Sequence, residues 1–244
     1  MPEKMQFVEM YDIIWEKMPK LSSNIRQRFR YWHRENERRL KTCGINRLRM
    51  YRVVQFIKYR LPFLWLFIDW INDVLFGMRY GKRCRTIPVA LQSCQAPYRI
   101  ELLSGDQISG LVRFFEEQPS GAFEFFRPHE FEARSLERLS KHRSFLMFVA
   151  LDGNRIVGYC FLRCFANGKA FRGKIVDYRY RNRGIAKQMG IVTTQVATVM
   201  GLRMFGTISR HNYASMHSSE AVNEIRVIRE LPDDYLYIEY LSKH

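Results

Sequence analysis

The sequence lacks the patterns of several common chemistries. It contains neither G-x-G-x-x-G nor G-x-x-x-x-G-K-[ST], so a dinucleotide fold and a P-loop are both unsupported. Its cysteines, Cys43, Cys84, Cys94, Cys160 and Cys164, are odd in number and form no C-x-x-C pair. That argues against a disulfide framework and for a reduced, cytosolic setting. Cys160 and Cys164 fall four apart in one apparent strand, where they share a face as small core residues rather than a metal site; no metal is expected. No cationic leader with a clean apolar stretch opens the chain, because Glu3 and Glu9 interrupt it. The most apolar run, Leu61 to Gly77, is about one bilayer span long. It holds Pro62, Asp69, Asn72 and Asp73, and two carboxylates inside a span are costly. Repeats and low-complexity tracts are absent as well.

Acidic residues are the scarcer charge, 24 Asp and Glu against 40 Lys and Arg, for a net charge of +16. Residues 1–95 hold 19 of the basic and 8 of the acidic residues, a net +11 that leaves +5 for the remaining 149. The N-terminal part therefore prefers a negative partner: anionic lipid, nucleic acid or an acidic protein. At 47% hydrophobic, with 18 Phe, 13 Tyr and 4 Trp, the chain can bury a real core. Its length suits one large domain or a domain with an extension.

Residues 4–20 have the spacing of an amphipathic helix, and 25–41 interleave Arg with aromatics before 45–60 continue the pattern. Basic residues flank the apolar run on both sides. The whole of 25–85 suits a helical surface lying on an anionic membrane, with nucleic acid the lesser alternative; a face covering the chain's own core, or a homodimer contact, explains the same residues. Gly81, Pro88, Ser93 and Pro97 mark a linker, which places a boundary near 95 between an N-terminal region, 1–95, and a second domain, 96–244.

From Tyr98 the signals become regular. A strand at 98–103 precedes a helix at 107–117, and a second helix covers about 131–141. Strands at 144–151 and 156–165 flank Asp152-Gly153-Asn154-Arg155, a strong hairpin turn. A third strand follows at 169–178, then a helix from 185 to about 199, a strand at 203–209, a helix at 212–222, and strands at 224–229 and 234–241. The order predicts an α+β fold, a mixed sheet flanked by helices.

Within it, Val176 to Ala186 reads V-D-Y-R-Y-R-N-R-G-I-A. A strand that turns over glycine into a helix leaves backbone N–H groups unpaired at the positive end of the helix dipole, which is an anion site. Gly184 permits close approach, Ala186 keeps the first turn open, and Arg181 and Arg183 add charge. The residues fit a phosphate or pyrophosphate cradle, and equally an ordinary β–α turn with solvated arginines.

Residues 98–241 resemble the GNAT superfamily of N-acetyltransferases. R-N-R-G-I-A is similar to its [RQ]-x-x-G-x-[GA] motif, D-G-N-R-I-V-G-Y to its central hairpin, and T-I-S-R-H-N-Y-A-S to its fifth strand entering the next helix. The resemblance implies a mainly antiparallel sheet and acetyl-CoA or another acyl-CoA as co-substrate. The pyrophosphate would lie on the amides of Arg181, Asn182, Arg183, Gly184, Ile185 and Ala186, and the pantetheine arm along Val176 and Asp177. Asn212 matches a cofactor-contacting position. Many relatives carry a tyrosine acid seven residues later, where this chain has Ser219. His129 is the first candidate base, with Asp177 another, and Glu124, Arg127 and His129 are candidate acceptor contacts. The expected activity is transfer of an acetyl group to a primary amine by direct attack, with an amino sugar of bacterial surface polysaccharide as the leading acceptor and a cytoplasmic or inner-membrane-face location. The alternatives are a protein or peptide acetyltransferase and a non-catalytic acyl-CoA sensor.

Overall fold

A computed structural model describes residues 62–92, 97–126, 128–231 and 233–243. The amphipathic and basic stretches at 4–60, and Arg127, lie outside the described residues. The described residues divide into two units, 62–70 with 128–129 and all the others. In the smaller one, Phe67 and Trp70 are exposed and stack with ring centroids 5.7 Å apart.

The larger unit is built on one seven-stranded sheet, in the order β1-β2-β3-β4-β5-β7-β6. The strands are β1 (Arg99–Leu102), β2 (Phe145–Asp152), β3 (Arg155–Cys164), β4 (Lys169–Val176), β5 (Arg203–Ser209), β6 (Asn223–Leu231) and β7 (Tyr235–Ser242). Every pairing is antiparallel except β4 with β5. The helices are α1 (Pro62–Cys84), α2 (Ile87–Gln92), α3 (Ile108–Glu116), α4 (Ala133–Ser140), α5 (Ile185–Met200) and α6 (Tyr213–Glu220). This is the mixed sheet flanked by helices that the sequence pattern predicts, mainly antiparallel as the resemblance implies.

Alternation along β2 explains how the sheet is covered. Phe145, Met147, Val149 and Leu151 face Leu111, Phe114 and Phe115 of α3 and Leu136 of α4. Leu146, Phe148 and Ala150 face Ile185, Met189, Val192 and Val196 of α5. A strand buried on both faces reads as a continuous apolar run, as F-L-M-F-V-A-L does. The hairpin forms with Asp152 opposite Arg155, and Gly153 carries the positive φ (59°) that its two-residue loop needs. A bulge follows, where Val157 is the extra residue between the Ala150–Gly158 and Leu151–Ile156 pairs. Its carbonyl accepts from Asp177 N at 2.9 Å and so fixes the chain as it leaves β4.

Residues 81–92 depart from the expected linker. Gly81 lies inside α1 and Pro88 in the first turn of α2, where proline's missing N–H costs nothing. Phe76, Tyr80, Ile87 and Leu91 join the core under α5. The polar residues inside the apolar run are spent on the sheet: Asn72 bridges Cys164 O and Ala166 N, both at 3.1 Å, and Asp73 Oδ1 accepts from Ser144 N and Oγ at 2.8 and 2.7 Å. Arg83 Nη1 donates to Met200 O at 2.8 Å, at the end of α5. Among the described residues no helix is long and apolar enough to cross a membrane. Cys160 and Cys164 are both buried core, and burial pushes the Cys160 thiol up to about 12.

Candidate active site

The site is made by a ladder that stops early. β4 and β5 pair in parallel only at Lys169–Arg203, Ala170–Met204 and Phe171–Phe205. β4 continues to Val176 and β5 to Ser209, so the two strands part and each leaves an open backbone edge. The split lies between β4 and β5, in a sheet covered on one face by α5 and on the other by α3 and α4.

The end of β4 becomes the turn that holds the candidate cradle residues. Asp177 starts a 3-10 turn over Tyr178–Tyr180, and its Oδ1 accepts from Arg179 N and Nε at 2.9 and 3.0 Å. Arg179 Nη2 reaches Asp177 Oδ2 at 2.9 Å and also meets Glu117, which pairs with Arg155. Burial pushes the Asp177 carboxyl up, but the hydrogen bonds and charge of Arg179 and the charge of Arg155 outweigh it and hold the group below its usual range. Asp177 is thus held ionised by its own turn, and its lowered basicity suits it poorly to the role of a general base at neutral pH. Asn182 (φ 61°) and Gly184 (φ 80°) then take left-handed conformations, and Gly184 caps α5. The first bond of the helix, Gln188 N to Gly184 O at 3.0 Å, leaves the amides of Ile185, Ala186 and Lys187 over. A Cβ on Gly184 would meet nothing within 4 Å, so open space lies above these donors. Arg183 lies over the Tyr180 ring, with its guanidinium carbon 4.8 Å from the centroid, which holds positive charge at the turn.

Two further cations project from β4 onto α5, and sequence reasoning passed over both. Arg172 is buried, and its Nη1 donates to Asn223 Oδ1 at 3.1 Å and Gly190 O at 3.5 Å. Lys174 Nζ donates to Ala186 O at 3.3 Å, in the first turn of α5. Burial, then the charge of Arg172, pulls the Lys174 ammonium down to about 7. The signal for the pair was present in K-A-F-R-G-K-I-V: charges two apart in a strand belong to one face, here the face that α5 covers.

The remaining expected residues fall as follows. Val176 pairs with Gly158 at the end of β4. Asn212 caps α6, its Oδ1 accepting from Ser215 N at 3.0 Å. Ser219 is fully buried, and its Oγ accepts from Arg172 Nη2 at 3.4 Å. On the opposite face, the segment after α3 comes to the split. Glu124 is exposed and its charge acts on Tyr235, at the start of β7. Phe126 approaches β4, 3.3 Å from where a Cβ on Gly173 would stand. Phe123 and Phe126 pack on the α3–α4 core, while Phe125 is 37% exposed. His129 belongs to the unit of 62–70 and 128–129. Among the described residues no cluster of three metal-ligating side chains occurs.

No protein-family model matches the sequence, and no curated protein matches it. Solved structures do match. The GNAT domain of S. lividans PAT aligns with a TM-score of 0.51 at 18% identity, over 59% of this chain and 89% of that one. PaiA N-acetyltransferase from Thermoplasma acidophilum, in complex with coenzyme A, gives 0.48 at 15% identity over 59% and 98%. YncA from Salmonella typhimurium, a putative acetyltransferase with its cofactor acetyl-CoA, gives 0.48 at 13% identity over 61% and 96%. At these identities the likeness is one of fold. The strand order, the short parallel seam, the left-handed glycine before α5 and the alignment with the S. lividans domain agree, and the chain has the fold of the GNAT superfamily of N-acetyltransferases.

Proposed function

We propose that the protein is a CoA-dependent N-acyltransferase that moves an acetyl group from acetyl-CoA to a primary amine. The observation that carries this reading is the conjunction of an open helix start, with amides left over at Ile185, Ala186 and Lys187, and a sheet that parts beside it. The pyrophosphate takes the cradle from Arg181 to Ala186, where amides and the helix dipole favour an anion. The pantetheine arm runs into the split, its amides meeting the open edges of β4 and β5. The amine attacks the thioester carbonyl, the N–H groups of a strand edge hold the oxyanion, and the thiolate leaves.

The acceptor enters from the α3–α4 face, where Glu124 and the exposed Phe125 stand near the start of β7. A carboxylate beside aromatic surface suits a small cationic amine, and an amino sugar is the leading candidate. Whether a protein amine serves instead is decided by the same assay. The exposed Val74, Leu75 and Met78 of α1, with Arg79 and Lys82 beyond them, support a peripheral membrane position; failure of the full chain to float with anionic liposomes would remove that part of the reading.

The test is acetyl-CoA turnover across a panel of amino sugars, polyamines, amino acids and peptides, with CoA binding measured in parallel. Gly184→Glu places a carboxylate in the open space over the donors, where it repels the pyrophosphate. The expected result is loss of CoA binding with the fold intact by circular dichroism. Retained binding in this variant refutes the cradle.

A further inference from the structure

At the apex of the split the core is unusually positive. Arg172 is the first residue of β4 beyond the parallel seam and is 7% exposed. Its Nε is fully buried without a hydrogen-bond partner, and no carboxylate among the described residues lies within ion-pair reach of it. Lys174 stands one pleat further along, beside the positive end of α5, and in its protonated form adds a second cation. Buried charge without a counter-charge is costly unless a ligand supplies it.

A phenol meets Arg172 there from the other strand group. Tyr240, on β7 opposite Met204, leans across β5. A Cβ on Gly206 would stand 2.6 Å from Tyr240 Oη and 2.9 Å from its Cε2, so only glycine leaves room for this ring. Gly206 is the first β5 residue beyond the seam. The Arg172 guanidinium carbon sits 3.7 Å from the centroid of the same ring. Phenol and guanidinium therefore converge on the point where the two strands part. Ser219, by contrast, has its Oγ occupied by Arg172 and lies fully buried.

We propose that Tyr240 and Arg172 receive the negative charge of the departing CoA sulfur, with Tyr240 Oη as hydrogen-bond donor to the thiolate and Arg172 as the cation that holds the ring and stabilises that charge. This rests on the acyltransfer reading above. In the step, the tetrahedral intermediate collapses and the C–S bond breaks with its electron pair moving to sulfur. The thiolate keeps its charge under the Oη–H hydrogen bond and the guanidinium, and the surplus proton of the new amide nitrogen goes to water. Thiolate and that proton recombine in water on release, so the net reaction is amine plus thioester giving amide plus thiol. An arm lying along β4 from Val176 to Arg172 spans about 13 Å at strand rise, which brings its far end to this apex. The titratable groups facing the pair are Lys174 on β4 and Cys160, its partner on β3. Gly190 of α5, Ser219 of α6, Asn223 and Ile225 of β6 and Gly206 of β5 complete the surroundings without a charge.

The test uses the full chain with CoA alone and needs no acceptor. The thiol of bound CoA is titrated by the ultraviolet absorbance of its thiolate. In the wild type it is expected to ionise at least one pH unit below a free thiol at about 8.5. Tyr240→Phe keeps the ring and its packing; it is expected to leave CoA affinity unchanged and return the titration upward by about one unit. Arg172→Gln is expected to do the same where it folds. A bound thiol that titrates identically in wild type and Tyr240→Phe, or at the free value in both, overturns the proposal while the acyltransfer reading stands. Absence of CoA binding in the wild type overturns both.

Discussion

Replacing Lys174 with methionine should stabilise the protein, and by an amount that depends on pH. The side chain is half-buried against α5, with Ala186 O as its hydrogen-bond partner and Arg172 as its neighbour on β4. Burial lowers its pKa from 10.5 in the unfolded chain to about 7 in the fold. Between those values the unfolded chain binds a proton that the folded one does not, so stability rises with pH over this interval. The destabilisation is fully present below about pH 7 and is lost as the pH climbs towards 10.5. Its upper limit is 3.5 pH units, about 5 kcal/mol at 1.36 kcal/mol per unit. Methionine removes this penalty and keeps the volume, but forfeits the bond to Ala186 O, about 1 kcal/mol. The gain for Lys174→Met is therefore at most about 4 kcal/mol at pH 6, falls to at most about 2 at pH 8 and is near zero at pH 10. Urea unfolding of both proteins at the three pH values measures it. A difference that stays constant with pH, or grows towards pH 10, refutes the claim that this lysine is held in the split against its own charge.

Two further substitutions test how the split is supported. Gly173→Ala would put a Cβ 2.3 Å from Phe161 Cε1, and that ring is buried and stacked on Phe145; a loss of about 2 to 3 kcal/mol in thermal unfolding is expected, with Phe161→Leu recovering part of it, and additive losses would argue against the clash. Asp73→Ala removes the acceptor of both Ser144 N and Ser144 Oγ and should cost about 3 kcal/mol in urea unfolding, more than Ser144→Ala, which deletes one donor only; equal losses would contradict the two-bond arrangement.

Most of the sheet was legible in the sequence because local signals and tertiary packing agree there. Asp152-Gly153 fixes a hairpin by backbone geometry alone, and 203–209 reads as the strand it is. The helix expected from 185 to about 199 runs Ile185–Met200, closed by Gly201 in a left-handed conformation. Residues 81–92 were illegible because glycine and proline mark turns only on average. Gly81 sits on a helix whose face packs through Phe76 and Tyr80, and the proline of α2 occupies a position where its lost donor is redundant. The turn with its left-handed glycine at the start of α5 could be read from R-N-R-G-I-A, since its geometry is backbone and its spacing is local. The interior of the split could not. Arg172, Lys174 and Tyr240 come together only once β4, β5 and β7 are laid side by side, and charged residues in a strand ordinarily mark its solvent face.

The seam of three residue pairs also sets how the molecule opens. Strands β1 to β4 form one continuous antiparallel ladder and β5, β7 and β6 another; among the described residues the strand pairing between them is confined to 169–171 and 203–205, and Arg172 adds side-chain contacts to Asn223 of β6 and Tyr240 of β7. Amide exchange should divide along this line, each ladder opening as its own cooperative group. A donor bound in the split would tie the ladders together, so its arrival would be recorded by slower exchange in strands it never touches, β6 above all.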